Sequence, residues 1–292
     1  MAILGLGLMG GSLGLALRAR GFRGRLTGFA RRAAVRQAAL QLGAVDAAFA
    51  DPAEAVREAE IVVLCVPVLA IPSLAESCAA QLASNAVLTD VGSTKTWVVR
   101  AIRTALGAAA PQFVGSHPIT GSERQGIEAA TAQLYTGALV VLTPTADNPL
   151  AAVSVVEALW RRAGARVAIL APEEHDRRLA RTSHLPHLVA SALAATSGRD
   201  RAAEHGPFCG NGFRDSTRIA AGSPDLWLDI VRTNRPALLE EMEAFGEQWR
   251  ALTDAIRRED FEAVRRLLDS GREARRSLLG TTDRSAPLGD SA

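Results

Sequence analysis

The first half of the chain alternates short apolar runs with amphipathic segments. Runs bounded by turn residues predict strands at 2–4, 25–29, 61–66, 87–89, 113–115, 138–142 and 166–170. The run over 61–66 is apolar throughout, as expected for a strand with both faces covered. Helices are predicted at 12–20 and 33–42, and further helical segments separate the later strands. This alternation predicts a doubly wound α/β sheet.

The second half has a different pattern. From Pro172 to Leu279 the strand signal disappears, and Ala- and Arg-rich helical periodicity dominates, interrupted by the Gly-rich stretch GPFCGNGFRDS. The last residues are small and polar, which predicts a flexible tail. We therefore expect an α/β domain over 1–170, an all-α domain over 171–280 and a tail over 281–292.

Composition narrows the class of protein. The 33 basic and 31 acidic residues nearly cancel and form no long basic run, which argues against nucleic-acid binding. No apolar run approaches the ~18 residues of a membrane span, and no signal peptide precedes the first strand. The 3 cysteines have no C-x-x-C spacing. We expect a cytoplasmic protein with reduced thiols, no membrane contact and no metal ion.

A glycine motif follows the first strand. Gly5, Gly7 and Gly10 form G-x-G-x-x-G and lead into the first helix, whose N-terminus near Gly11 and Ser12 would meet the phosphates of a ligand. Leu8 and Met9, inside the motif, are assigned to the same cofactor-binding loop. Such glycines allow a tight turn, approach of a pyrophosphate and close helix packing, respectively. The alternative is a glycine-rich turn with no ligand. The preceding strand and following helix favour a Rossmann-like dinucleotide site.

The end of the second strand bears on which dinucleotide binds. Where NAD sites usually carry an acidic residue for the ribose hydroxyls, this chain has Ala30, followed by Arg31 and Arg32. A guanidinium can pair with a 2′-phosphate, so the sequence favours NADP over NAD. The alternative is two solvated arginines at the start of a helix. Val66 and Pro67, at the end of the third strand, are assigned to the same cofactor-binding edge.

Two polar clusters follow later strands. TDVGSTK, residues 89–95, is expected to point Ser93 and Lys95 into the ligand crevice. VGSHPITGSE, residues 114–123, is expected to place His117 on the same edge as a general base, rather than as a structural histidine. Lys95 is the single lysine beside 32 arginines, and it either supports the nicotinamide end or forms an ion pair.

The helical half carries two further motifs. SHLPH spans 183–187 and GFRDSTR spans 212–218, with Asp215 and Arg218 one helical turn apart. A local ion pair is the simplest interpretation of these two charges.

Together, GLGLMGGSLG, DVGSTK, GSHPITGSE, SHLPH and GFRDSTRIA resemble the prephenate and arogenate dehydrogenases of tyrosine biosynthesis. The match keeps order and similar intervals from residue 3 to about 230. The resemblance implies oxidative decarboxylation of prephenate to 4-hydroxyphenylpyruvate with NAD(P) as hydride acceptor. Arogenate, or both substrates, is the alternative.

The resemblance also implies residue roles. His117 matches the catalytic histidine that helps remove the proton of the substrate's C4 hydroxyl. Ser93 matches a serine that contacts this hydroxyl and orients the histidine, at the cofactor-binding edge. Arg218 matches the arginine that binds a substrate carboxylate, with Glu123 and Asp215 as acidic partners near the pocket entrance. The remaining cleft residues implied by the resemblance are His175, His184, His187 and Trp227.

Two other classes are considered. The 3-hydroxyacid dehydrogenases would carry a catalytic lysine in the helical domain, but no lysine follows Lys95. A nicotinamide-binding sensor without turnover would lack the polar pocket residues that are present here.

The Ala/Leu-rich helices LPHLVASALAA and LWLDIVRTNRPALLEEMEAF offer more apolar face than one layer needs, which predicts a homodimer through the helical domain. Burial within the monomer is the alternative.

Overall fold

The structure, a computed structural model, describes residues 1–120, 124–199 and 202–280. It divides into a compact unit over Met1–Leu238 and a second unit from Leu239 onward. The first unit therefore includes helices that follow residue 170. The boundary at 170/171 stays a prediction.

The core of the first unit is a five-stranded sheet in which every neighbouring pair is parallel, in the order β3-β2-β1-β4-β5. Its strands are β1 (Ala2–Leu4), β2 (Thr27–Phe29), β3 (Ala47–Phe49), β4 (Ile61–Leu64) and β5 (Val87–Asp90). The sequence did not predict β3, because its Ala-Ala-Phe lies among small residues and forms no distinct apolar run.

Three further strands form a separate sheet in the order β6-β7-β8. They are β6 (Gly115–Ile119), β7 (Leu139–Thr143) and β8 (Arg166–Ile169). β6 is antiparallel to β7, and β7 is parallel to β8. Before entering β6 the chain runs beside β5, where the Val114 amide donates to the Leu88 carbonyl over 2.9 Å. β6 therefore lies close to the carboxyl end of β5.

Helices cover both faces of the parallel sheet, so the predicted doubly wound fold is confirmed. They are α1 (Leu8–Ala19), α2 (Ala33–Gln41), α3 (Pro52–Val56), α4 (Ile71–Cys78), α5 (Thr96–Leu106) and α6 (Leu150–Arg162). Neighbouring strand residues enter different apolar clusters. Ile3 and Val63 pack in one cluster, whereas Leu4 and Leu64 pack in the other. This is the period-2 alternation expected of strands buried on both sides.

After β8 every element of the described chain is helical, as predicted. The α-helices are α7 (Pro172–Leu179), α8 (Leu185–Ser197), α9 (Ala202–His205), α10 (Asn211–Thr217), α11 (Pro224–Thr233), α12 (Arg235–Arg257) and α13 (Phe261–Leu279). A π-helical turn over Ala180–His184 joins α7 to α8. Within the described residues, no helix has both the length and the apolar character needed to cross a membrane.

Candidate active site

The glycine loop, residues 5–10, joins β1 to α1. Gly5 has φ 115°, and a Cβ there would lie 2.2 Å from the carbonyl oxygen of Cys65. A Cβ on Gly10 would lie 2.0 Å from the carbonyl oxygen of Gly5. By contrast, nothing lies within 4 Å of a Cβ built on Gly7. Gly5 and Gly10 are therefore required by the fold itself, whereas Gly7 faces open space.

The first turn of α1 begins at this open side. Gly7 is its N-cap, no side chain caps the helix, and the first turn contains no acidic residue. The loop is held from behind by the Tyr135 hydroxyl, which donates to the Met9 carbonyl over 2.8 Å. The first-turn amides, beginning at Leu8 and Met9, are thus available to a negatively charged group. Val66 flanks the same turn, since its Cγ1 lies 2.9 Å from a Cβ built on Gly5.

The loop after β2 carries positive charge. Ala30 is buried, whereas Arg31 and Arg32 are exposed. The Arg36 guanidinium donates to the carbonyls of Ala30 and Arg31, each over 2.8 Å, and so fixes the path of this loop. α2 begins directly after Arg32 and has no acidic residue in its first turn.

A second group of polar side chains, here called the polar cluster, lies where β5, β6, α7 and α11 meet. Its members are Asp90, Lys95, Ser116, His117, His175, Asp176, His184 and Asn234. All of them except His117 are buried, and His117 is half-buried.

Lys95 pairs with Asp90, the last residue of β5, and both side chains are fully buried. Its ammonium also donates to the Ser116 carbonyl over 2.9 Å. Burial lowers the pKa of Lys95, and the nearby Asp90 carboxylate opposes that effect. The expectation that Lys95 points into the crevice is therefore wrong, because Asp90 draws the side chain into the interior. Of the two roles considered for Lys95, the structure shows the ion pair.

His117 lies within β6, opposite Val141 of β7, and not after a strand as the sequence predicted. Its Nδ1 is 2.9 Å from Nε2 of His175, and the two rings meet edge to face. The pKa of His117 is well below its usual value, chiefly because burial disfavours the imidazolium and secondarily because Lys95, and His175 whenever it is protonated, would repel the positive charge. His117 is therefore neutral at neutral pH and can accept a proton.

His175 and Asp176 lie on α7 and connect His117 to α5. His175 Nδ1 lies 2.8 Å from Oδ1 of Asp176. The Asp176 carboxylate also accepts from the backbone amides of Lys95 and Thr96, each over 2.8 Å, at the start of α5. Asp176 therefore provides the N-terminal acceptor that α5 lacks in its own sequence.

The cluster continues towards α8 and α11. The Asn234 amide nitrogen lies 2.8 Å from the Asp176 carbonyl, to which it donates, and 3.1 Å from Nδ1 of His184. Trp227 meets His184 edge to face and stacks on His187 with ring centroids 3.5 Å apart. Burial lowers the pKa of His184 to about 4.

His187 is buried, and its Nδ1 has no hydrogen-bond partner among the described residues. Burial lowers the pKa of this histidine as well. The stack of His187 on Trp227 lies against Gly222, where a Cβ would come within 3.1 Å of the histidine ring. Gly222 directly follows the short 3-10 helix Arg218–Ala221, which packs on α8.

The other predicted site residues lie at several places. Ser93 lies in the loop between β5 and α5 and is partly exposed. Arg218 begins the 3-10 helix beside the His187 stack, and Asp215 lies on α10; both are exposed. Pro67 follows β4 and is exposed. Glu123 lies outside the described residues.

Four of the chain's 5 histidines are thus connected through short polar or ring contacts. Sequence reasoning missed Asp90, Ser116, Asp176 and Asn234. Asp176 had one detectable signal, since it directly follows His175. Asn234 had none, because it is 58 residues from the backbone carbonyl that it binds.

Known families match both halves of the chain. The model of the prephenate dehydrogenase nucleotide-binding domain matches residues 13–169, and the model of the prephenate dehydrogenase dimerization domain matches residues 171–270. Cyclohexadienyl dehydrogenase of Zymomonas mobilis is 34% identical over 283 residues, covering 95% of each chain.

Solved structures agree with these matches. Prephenate dehydrogenase from Aquifex aeolicus, in complex with hydroxyphenyl propionate and NAD+, superposes with a TM-score of 0.88 at 33% identity, covering 95% of this chain and 97% of that one. Synechocystis arogenate dehydrogenase superposes with a TM-score of 0.81 at 28% identity, covering 95% and 99%.

Proposed function

The chain belongs to the prephenate dehydrogenase family, and from this premise we propose that it oxidatively decarboxylates prephenate to 4-hydroxyphenylpyruvate, with NADP preferred over NAD. It is an NAD(P)-dependent dehydrogenase of tyrosine biosynthesis. The observation that carries the proposal is His117, a neutral, half-buried histidine linked to the carboxylate of Asp176 through His175. Prephenate has a C4 hydroxyl whose proton must leave as C4 is oxidised, and a neutral imidazole can accept it.

We assign substrate orientation to residues around the His187 stack and to Ser93. Prephenate carries two carboxylates, and a guanidinium such as that of Arg218 can pair with one of them bidentately. His187 supports a substrate-facing role because its buried Nδ1 has no partner among the described residues. Ser93 lies in the loop that precedes α5, where its hydroxyl can contact the C4 oxygen and orient His117. Glu123 and Asp215 remain the proposed acidic partners of Arg218.

The glycine loop fits a dinucleotide pyrophosphate. Gly7 leaves open space, and the first turn of α1 has amides without a side-chain cap. When bound, the nicotinamide accepts the hydride that leaves C4 of the substrate. The chain's part is to orient the substrate, to take up the hydroxyl proton at His117 and to hold the ring carboxylate until it leaves as CO2.

NADP preference rests on the loop after β2. A carboxylate at position 30 would repel a 2′-phosphate, and Ala30 offers none. Arg31 and Arg32 are exposed there at the N-terminus of α2. Both can approach a 2′-phosphate while Arg36 holds the loop through the carbonyls of Ala30 and Arg31.

Arogenate is the second candidate substrate. It differs from prephenate only in carrying an amino group in place of the side-chain keto group. A cyclohexadienyl dehydrogenase and an arogenate dehydrogenase are among the similar proteins, which supports testing both substrates.

We propose that the helical half forms a homodimer. The C-terminal region matches a dimerization domain. Along α12, Leu239, Met242, Phe245, Trp249 and Ile256 follow a helical spacing, and all five are exposed. Light scattering would give twice the 30.7 kDa mass of one chain if this apolar stripe lies between two copies.

We also place the enzyme in the cytoplasm, in keeping with its free cysteine thiols.

The function is tested by initial rates with prephenate or arogenate, each combined with NAD or NADP. Turnover of prephenate with NADP as the better cofactor is the expected result. Activity with arogenate alone would change the substrate and keep the chemistry. No turnover in any combination, with cofactor still bound, would contradict the proposed activity.

The cofactor preference has its own test. The Arg31→Gln/Arg32→Gln variant should raise the KM for NADP by about tenfold or more, the equivalent of losing at least one charge-assisted contact, and should leave the KM for NAD unchanged. Arg25→Gln, an exposed arginine at the other end of β2, is the control. Equal changes for both cofactors would remove these arginines from 2′-phosphate recognition.

A further inference from the structure

We infer that His175 and Asp176 act as a positioning pair that holds His117 in one tautomer, with hydrogen on Nδ1 and a bare Nε2 facing the substrate. The inference rests on the proposed function, because it specifies which nitrogen of His117 takes the hydroxyl proton. It follows from the directions of four hydrogen bonds.

The first step is the ionisation of Asp176. Oδ1 accepts from the Lys95 amide and Oδ2 from the Thr96 amide, and a backbone N–H can only donate. These amides begin α5, an 11-residue helix with no acidic residue in its own first turn. The positive end of the helix therefore favours a carboxylate at this point. In agreement, hydrogen bonds from His175, Lys95 and Thr96 outweigh burial and lower the pKa of Asp176.

The second step passes through His175. Because Asp176 Oδ1 can only accept, His175 must carry hydrogen on Nδ1 and donate across the 2.8 Å contact. His175 is buried, and burial lowers its pKa, although Asp176 opposes that effect. The other charged groups acting on it are Lys95 and Asp90, which form an ion pair with each other. His175 is thus neutral at neutral pH, and its Nε2 carries no hydrogen.

The third step fixes His117. His175 Nε2 can only accept, so the 2.9 Å contact requires His117 to donate from Nδ1. A neutral His117 with hydrogen on Nδ1 has a bare Nε2. That nitrogen is the one left to accept the proton of the substrate hydroxyl.

The same chain of bonds stabilises the product of proton transfer. When the O–H bond of the substrate breaks, its proton forms an N–H bond at Nε2 of His117, and the ring becomes an imidazolium. Its Nδ1–H still donates to His175, which still donates to Asp176. The carboxylate is therefore linked through hydrogen bonds to the positive charge that develops on His117.

The experiment reads the tautomer directly. The ring-nitrogen ¹⁵N chemical shifts of His117, assigned by comparison with His117→Asn, distinguish a protonated nitrogen from a bare one at neutral pH. In the wild-type protein we expect a protonated Nδ1 and a bare Nε2. A wild-type His117 protonated at Nε2 would overturn the inference.

Asp176→Asn then tests the origin of the tautomer. The amide has one acceptor oxygen for donors that use both carboxylate oxygens, so the bond direction at His175 is no longer fixed. We expect a mixed or reversed tautomer at His117. We also expect kcat to fall by about 100-fold, while KM and cofactor affinity stay unchanged. An unchanged tautomer and an unchanged kcat would both contradict the inference.

Two further variants separate positioning from folding. Asp51→Asn alters the carboxylate that caps α3, which accepts from the Ala53 amide, and should change neither tautomer nor kcat. His175→Leu keeps the bonds from the Asp176 carboxylate to the first amides of α5 and removes only the link to His117, so it should also release the tautomer. A wild-type protein with a bare Nε2 but no turnover of either substrate would refute the proposed function alone.

Discussion

The glycine loop and the polar cluster are built in opposite ways. In the glycine loop, backbone groups within six consecutive residues make the site. What the loop requires is that three of these positions, Gly5, Gly7 and Gly10, carry no side chain. In the polar cluster, side chains from β5, β6, α7, the π-helical turn and the end of α11 make the site, and partners lie up to 81 residues apart. The comparison teaches that a binding loop can be local in sequence while the residues that position a catalytic base are not.

The two regions also differ in electrostatics. The glycine loop offers unpaired amides and, nearby, exposed arginines, so it is prepared for a negatively charged ligand. The polar cluster contains a buried ion pair and several neutral histidines whose pKa values burial has lowered. Substitutions in the cluster should therefore affect stability and pH dependence more than substitutions on the open side of the loop.

The largest effect is expected from breaking the buried ion pair. Lys95→Met leaves the Asp90 carboxylate buried without its counter-charge, and the free energy of unfolding should fall by about 3–5 kcal/mol. Urea denaturation measures the loss. The double variant Lys95→Met/Asp90→Asn should recover part of it, because Asp90 is then no longer a buried charge without its partner. A loss below about 1 kcal/mol in Lys95→Met would show that the pair is effectively solvated.

A smaller effect is expected from acid. Burial lowers the pKa of His184 from 6.5 to about 4, so the unfolded chain binds a proton in this interval before the folded chain does. The contribution of His184 is fully present above pH 6.5 and is lost as the pH falls towards 4, by about 3 kcal/mol. Urea denaturation at several pH values gives the free energy of unfolding as a function of pH. Between pH 6.5 and 4 this free energy should fall less steeply in His184→Asn than in the wild type. A fall in His184→Asn as steep as that of the wild type would contradict this assignment.

The smallest effect on stability is expected in the glycine loop, at Gly7. Gly7→Ala should leave the melting temperature unchanged, since nothing lies within 4 Å of the new Cβ. It should weaken cofactor binding about tenfold, or about 1.4 kcal/mol, by filling the space for the pyrophosphate. Gly5→Ala is the matched contrast and should destabilise the fold, because its Cβ would lie 2.2 Å from a backbone oxygen. Unchanged cofactor affinity in Gly7→Ala would place the pyrophosphate elsewhere.

This contrast explains which features could be predicted from the sequence. The strands β1 and β4, the helices α1 and α2 and the glycine motif are visible because each depends on neighbouring residues. β3 was missed, since a three-residue edge strand among small residues gives no detectable period. The placement of His117 within β6 and the inward turn of Lys95 depend on how β5 and β6 meet, which no local pattern reports.

The candidate site, too, could be predicted only where a residue is recognisable from its neighbours in sequence. Residue types with a characteristic chemistry, such as His117, Ser93 and Arg218, were identified from their motifs and from a family resemblance. Asp176 and Asn234 act through their spatial neighbours. Their partners become apparent only when α7 packs at the start of α5 and α11 brings Asn234 beside His184.

The central claim is that the two regions do separate tasks, cofactor binding and proton uptake. The most direct measurement is the turnover of His117→Asn together with its cofactor dissociation constant. We expect kcat to fall by about 10² to 10⁴-fold while cofactor affinity stays within about twofold of the wild type. An unchanged kcat, or a loss of cofactor affinity equal to the loss of kcat, would contradict the account.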